Sequence, residues 1–330
     1  MTKSNPPRAP LQPMSLISAT LGKFLPRYRQ LSEWAEIYAQ IVASKQISAK
    51  TKANRSNYIK RIVAGLGNKH VGAIRPHEIA RFIAEVGAKH PHLARRMLIE
   101  TKEMFREAVN YAWIDRDPSS GIKAAKVKVV RMRLTFPQWA EIYDYAKFHS
   151  PPWVSNMLVL ALVTGQRRSD LQKMKFSDVW TEVIGGKAIE CLHIAQQKTG
   201  ALIAIPTALR LDALDLSVKE AIDGCRRYNP EPSNDDALLL RKSTGQGLAL
   251  ASMSWRFEQA RKMALMKHKD EETDPPSLHE CRSLSARLYA GQGIQDVQTL
   301  LGHTDQAMTD VYMDDRGLDR RSGRWRTVEI

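Results

Sequence analysis

A run of turn-forming residues, Asp115-Arg-Asp-Pro-Ser-Ser-Gly121, divides this 330-residue chain into two stretches whose apolar residues follow different rules. Before it, apolar residues recur at helical spacing throughout: Trp34, Ile37, Tyr38 and Ile41, then Tyr58, Ile59, Ile62 and Val63, then Leu98, Thr101, Phe105, Ala108 and Ala112. Roughly four or five short helices fit there. After it the pattern is mixed. Helices are expected around 137–147 and 153–163, followed by a hairpin of strands at 188–194 and 201–205 joined through Gln196-Gln-Lys-Thr-Gly200. Helical spacing then resumes almost to the end. The reading is a mainly α chain with a small β-sheet (α+β), with a helical domain at 30–120, a basic linker at 121–133 and a mixed domain at 134–316. Residues 1–29, rich in Pro and Ser, read as a flexible leader, and residues 317–330 as a tail with strand-like composition.

Charge narrows the partner. Fifty Lys and Arg against thirty-five Asp and Glu leave a net charge of +15, which favours a polyanion and leaves DNA, RNA and acidic membranes open. Prolines interrupt the N-terminus where a signal peptide needs an unbroken apolar run, and no later stretch is long enough to span a bilayer, so a cytoplasmic protein is expected. Cys191, Cys225 and Cys281 are far apart and form no CxxC pair; free, mostly buried thiols are expected. His90-Pro-His92 lacks further ligands for a metal, and Gly65-Leu-Gly-Asn-Lys-His70 lacks the strand and third glycine of a phosphate loop.

The segments that carry chemistry lie after the linker. In Thr164-Gly-Gln-Arg-Arg-Ser-Asp-Leu171 an apolar helix stops at Gly165, Ser169 or Asp170 can cap the next, and Arg167 sits on the turn between them. A guanidinium there offers a fork of donors to phosphate oxygens, although alone such an arginine more often caps helix carbonyls. In Pro275-Pro-Ser-Leu-His-Glu-Cys-Arg282, Ser277 and Glu280 are spaced as a capping box, which puts His279 in the first turn of a helix and Arg282 one turn on. Ile294, Val297, Leu300 and Leu301 form a stripe ending at Gly302, followed by His303. Thr304 or Asp305 then caps a last helix that holds Tyr312, which by itself reads as an ordinary core aromatic.

Taken in order, Arg…Lys…HxxR…LGH…Tyr resembles the tyrosine recombinase and phage integrase family, in particular its phage lambda branch, from about residue 31 to the end. TGQRRSDL matches the first-arginine motif, QQKTGALIAIPTAL the strand-turn-strand with the catalytic lysine, HECRSLSARLY the HxxR box and LLGHTDQAMTDVYMDDRG the histidine and tyrosine segment. The resemblance implies a helical SAM-like core-binding domain before a catalytic domain, with Tyr312 as nucleophile. Arg167 and Arg282 would clamp the scissile phosphate, His279 and His303 would add hydrogen bonds with His279 as base, and Lys198 would protonate the leaving 5′ oxygen. Attack gives a 3′-phosphotyrosine and a free 5′ hydroxyl. One ester replaces another, so no cofactor, metal or ATP is expected.

The resemblance further implies double-stranded DNA core sites as the partner, a homo-tetramer when assembled on DNA, and a DNA-bending host factor or an excisionase as accessory. Candidate DNA contacts are Lys52, Arg55, Lys60 and Arg61, then Arg95, Arg96, Lys102 and Arg106, and the tract of Lys123, Lys126, Lys128, Arg131 and Arg133. For that tract a solvated linker competes with a strand tracking the backbone. Members of the lambda branch carry an arm-site-binding domain first, which the 29 leader residues are too few to form. Two other readings stand beside the recombinase: a non-catalytic DNA-binding protein of the same fold, and a type IB topoisomerase-like activity without site preference.

Overall fold

The computed structural model describes residues 29–123, 132–228, 236–266, 275–294, 296–303 and 305–313. Contacts divide the chain into two compact units, residues 1–128 and 129–330. No helix among the described residues is long and apolar enough to cross a membrane.

The first unit is helical: α1 (Leu31–Ser44), α2 (Ala49–Leu66), α3 (Pro76–Lys89) and α4 (Pro91–Asn110). Each start has a chemical reason. The Glu33 carboxylate accepts from the Gln30 amide at 3.0 Å before α1, and Ser48 accepts from Thr51 N at 3.2 Å before α2. Proline occupies the first position of α3 and of α4, where its missing N–H costs nothing. The helices close on one core in which Trp34, Tyr38, Ile62, Ile79, Met97, Met104 and Phe105 are buried. Ala112 falls outside the helix that its spacing implied: α4 ends at Asn110 and Ala112 turns the chain at φ +55°.

In the second unit the helices are α5 (Phe136–His149), α6 (Pro152–Thr164), the single turn α7 (Arg168–Leu171), α8 (Val218–Tyr228), α9 (Leu250–Ala264), α10 (Glu280–Gly291), α11 (Val297–Leu301) and α12 (Gln306–Met313). The α6 sequence PWVSNMLVLALVT is apolar nearly all round, and such a helix belongs at the centre of a core. It packs against α5, α8 and α10. A three-stranded antiparallel sheet, β1 (Val179–Ile184), β2 (Lys187–Ala195) and β3 (Leu202–Pro206), lies in the order β1-β2-β3, with Leu192 opposite Ile205 and Ile194 opposite Ile203. The expected hairpin is therefore β2 and β3, and β1 is an addition to it. A two-stranded ribbon, β4 (Arg210–Leu211) and β5 (Leu216–Ser217), precedes α8.

Two glycines set the distances between these pieces. Gly165 ends α6 at φ +64°, and a Cβ on it would lie 3.0 Å from Ser285 Oγ. Gly302 ends α11 at φ +61°, where a Cβ would lie 2.7 Å from Ile203 Cδ1 and 2.9 Å from the Gln196 amide. Both αL turns favour glycine, and the second also brings the α11 end directly onto the sheet. All three cysteines are buried, and burial alone pushes the Cys225 thiol up to about 12.

Candidate active site

Arg282 is the centre of the cluster. It lies in α10, is only 1% exposed, and is held by the carboxyl ends of two other helices. Its Nη1 donates to the Gly165 carbonyl at 2.9 Å, and its Nη2 donates to the Leu301 carbonyl. The αL turns at Gly165 and Gly302 leave these carbonyls unused by their own helices, so a cation at both helix C-termini is favourable. The same Nη2 lies 2.9 Å from His303 Nε2. That contact makes Nε2 the acceptor, which leaves the proton on Nδ1, 3.0 Å from Thr309 Oγ1.

Arg167 approaches from the turn after α6. It is the N-cap residue of α7, is 9% exposed, and donates from Nη1 to Gln196 Oε1 at 2.8 Å. Gln196 is 2% exposed and ties several segments together. Its amide donates to Gln166 Oε1 at 2.7 Å and to the Leu301 carbonyl at 3.0 Å, and its Oε1 also accepts from Thr199 at 2.7 Å.

The two buried guanidiniums repel each other, and the Asp170 carboxylate offsets this only in part. Burial first, and Arg167 second, pull Arg282 down to about 10, which still leaves it charged at neutral pH. Burial, then Arg282 and Arg167, pull His303 down to about 4, so its imidazole is neutral. An incoming phosphate would relieve all three penalties at once.

Tyr312, on α12, faces this cluster. Its ring lies 5.1 Å from that of His303, and the Arg282 guanidinium lies 5.3 Å from the ring centre. The exposed His279 meets it from the other side, with Nε2 3.1 Å from the phenolic oxygen. Lys198 stands apart. It is exposed in the β2–β3 turn and makes no hydrogen bond or ion pair among the described residues. The turn itself is fixed: Gln196 N donates to Ala201 O at 2.9 Å, and Gln197 N donates to the buried Asp170 carboxylate at 2.9 Å.

Several sequence expectations change. Asp170 serves the β2–β3 turn, and Arg167 takes the cap position of α7. No capping box forms at Ser277 and Glu280: α10 starts at Glu280, His279 occupies the N-cap, and the Glu280 carboxylate is engaged by Arg133. Arg133, assigned to a DNA-tracking tract, is instead 4% exposed and ion-paired with Glu280 at 3.0 Å. Arg55 is likewise internal. It donates to Glu100 at 3.0 Å and to Tyr38 Oη at 2.6 Å, and pairs with Glu103 at 3.0 Å, so its fork is filled by carboxylates rather than left for phosphate. Lys60, Arg61, Arg95, Arg96 and Arg106 are exposed; Lys52 and Lys102 are half-buried and donate to the carbonyls of Ala43 and Ser120. Lys126, Lys128, Arg131 and the tail strand at 317–330 lie outside the described residues.

Residues 132–317 match the phage integrase family, and residues 31–125 match the phage integrase central domain. The chain belongs to the phage integrase family. It is a tyrosine-type site-specific recombinase. Integrases of Enterobacteria phage 434 and Escherichia phage lambda are each 37% identical to it over 306 residues, spanning 91% of this chain and 79% of theirs. The prophage integrase IntE of Escherichia coli (strain K12) is 32% identical over 311 residues, spanning 91% of this chain and 78% of its own. Among solved structures, a lambda integrase dimer bound to a COC′ core site superposes with a TM-score of 0.79 at 36% identity, covering 91% of this chain and 99% of that one. A lambda integrase tetramer bound to a Holliday junction gives 0.79 at 33% identity, covering 95% and 83%. Like these, the integrase described here joins a helical unit to a unit with a small antiparallel sheet.

Gln196 is a site residue that the sequence did not single out, while Asp170 and Arg133 take roles other than the helix cap and the DNA contact expected of them. Gln196 had a signal, since it stands two residues before Lys198 in the motif. A neutral side chain that only orients an arginine carries no charge pattern of its own.

Proposed function

We propose that this integrase cleaves and rejoins double-stranded DNA at core sites through a covalent bond to Tyr312, integrating or excising a phage or other mobile element. The observation that supports this best is the 3.1 Å approach of His279 Nε2 to the Tyr312 hydroxyl, next to the buried Arg167 and Arg282. A phenol with a pKa of about 10 is a poor nucleophile at neutral pH. His279 takes its proton as the phenolic oxygen attacks phosphorus. Arg167 and Arg282 hold the non-bridging oxygens while a pentacoordinate phosphorus forms, and each such donor contributes on the order of 3 kcal/mol. His303, neutral and already oriented by Thr309, completes the anion cradle. Lys198 gives a proton to the 5′ oxygen as its bond to phosphorus breaks. The resulting 3′-phosphotyrosine keeps the ester's energy, and the reverse attack by a different 5′ hydroxyl rejoins strands.

The helical unit at 30–120 reads as the core-binding domain. Lys52, Lys60, Arg61, Arg95, Arg96 and Lys102 are its proposed backbone contacts, continued by Lys126, Lys128 and Arg131 in the connector. Arg61 already shares a surface hollow with Lys89 and His92 at the α3–α4 junction, which concentrates positive charge where a phosphate can lie. Exchange between two duplexes needs two cleavages on each, hence a tetramer on DNA in the bacterial cytoplasm, with a DNA-bending protein or an excisionase setting direction.

The test uses nicked duplexes that carry candidate core sites, resolved on denaturing gels. A protein–DNA covalent complex is expected from the wild type and none from Tyr312→Phe. A complex that persists in that variant removes Tyr312 from the role, and no complex on any site leaves a protein that only binds DNA.

A further inference from the structure

Arg133 closes the basic tract, yet it is 4% exposed. Its Nη1 donates to both carboxylate oxygens of Glu280, at 3.3 and 3.0 Å, and to Ser283 Oγ at 2.8 Å. Its Nη2 donates to the Val311 carbonyl. Glu280, 7% exposed, follows His279 and opens α10; Val311 precedes Tyr312 in α12. A single planar fork thus bridges the helix that carries His279 and Arg282 to the helix that carries Tyr312.

That bridge matters because α12 is short. Eight residues are too few for a helix to be stable on its own propensity. Met308 and Val311 are exposed. Thr309 is buried and bonded to His303, and Tyr312 and Met313 are half-buried against the core.

We propose that Arg133 is a positioning residue for the nucleophile: with Glu280 it clamps the α12 main chain one residue before Tyr312 and so holds the phenol within reach of His279. The proposal rests on Tyr312 being the nucleophile. Arg133 itself touches none of Arg167, Arg282, His279 or Tyr312 through the bonds named above, so its loss should move the chemical step and spare phosphate binding.

Removing Arg133 alone strands a buried carboxylate and can unfold the unit, so the informative variant is Arg133→Gln/Glu280→Gln, in which both charges go together. Two measurements follow. In DNA-free protein, hydrogen exchange at the amides of 308–313 should accelerate at least tenfold in the double variant, while those of 284–290 stay protected. On nicked core-site DNA at saturating protein, the rate of covalent complex formation should fall on the order of 100-fold, the loss typical of a nucleophile displaced by about 1 Å, with the DNA dissociation constant changed less than threefold. Arg133→Lys should recover part of the rate. Unchanged exchange at 308–313, or exchange raised equally over the whole unit, overturns the proposal, as does an unchanged cleavage rate. Failure of the Tyr312 assignment would appear separately, as wild-type protein that forms no covalent complex although its exchange pattern responds to the double substitution.

Discussion

His279 and Tyr312 meet edge to face, their rings 5.7 Å apart and inclined at 69°, with Nε2 directed at the phenolic oxygen. On the proposed assignment, the contact gives the histidine a proton to take and a line along which to take it. Because His279 is exposed and Tyr312 is half-buried, the pair stands at the mouth of the site, with Arg282 and His303 behind it.

His279→Ala should lower the single-turnover rate of covalent complex formation by about a hundredfold to ten-thousandfold, the usual contribution of a positioned base. The variant's rate should then climb with pH as solvent hydroxide takes over the role of the base. A pH profile of the variant parallel to that of the wild type would argue that His279 does not take the proton.

His303 gives the catalytic unit a pH-dependent stability. Its folded pKa of about 4 lies below the ordinary 6.5, so the folded state binds the proton less readily than the unfolded one. The stability that comes from keeping it neutral is complete above about 6.5 and is lost as pH falls from there towards 4, to a total of roughly 3 kcal/mol. Thermal unfolding followed between pH 7 and 4 should show this slope, and His303→Asn should flatten it. Equal slopes in the two proteins would remove His303 as the source.

Arg55 and Arg61 occupy the same helix and should behave oppositely. Arg55→Ala leaves the buried Glu100 without its cation, while Glu103 keeps Lys45, and should cost about 3 to 5 kcal/mol of stability in the helical unit. Arg61→Ala should leave stability unchanged and reduce the slope of log binding constant against log salt by about 1. Denaturant titration and binding at several salt concentrations measure the two.

Gly302→Ala should destabilise the protein by about 2 to 3 kcal/mol, since alanine there combines a left-handed backbone with contact at 2.7 Å to Ile203. The loss should exceed that of Gly67→Ala, at φ +74° but in open space, in the same denaturant assay.

The elements with strong local signals were legible from the chain: the α6 apolar run, the hairpin around Lys198 and the glycine stops at 165 and 302 all correspond to observed structure. So did the convergence of Arg167, Arg282, His303, His279 and Tyr312, because the motif order carried it. What escaped was long-range use of polar groups. Nothing local says that Glu280, spaced for a capping box, turns instead to an arginine 147 positions away, or that Arg55 sits inward against Glu100. Strand β1 escaped for a related reason: Val179–Ile184 is exposed on much of its length and is fixed by pairing with β2 more than by burial.

The chain order of the site has a consequence for synthesis. Arg167, Gln196, Arg282, His303 and Tyr312 come from segments met in that order, and each depends on bonds to a segment made later or much earlier. A growing chain emerges from the ribosome with Arg167 first and Tyr312 last. On the proposed assignment, a polypeptide interrupted before α12 would lack the nucleophile and could not open a strand, so no half-made enzyme would cut without being able to reseal.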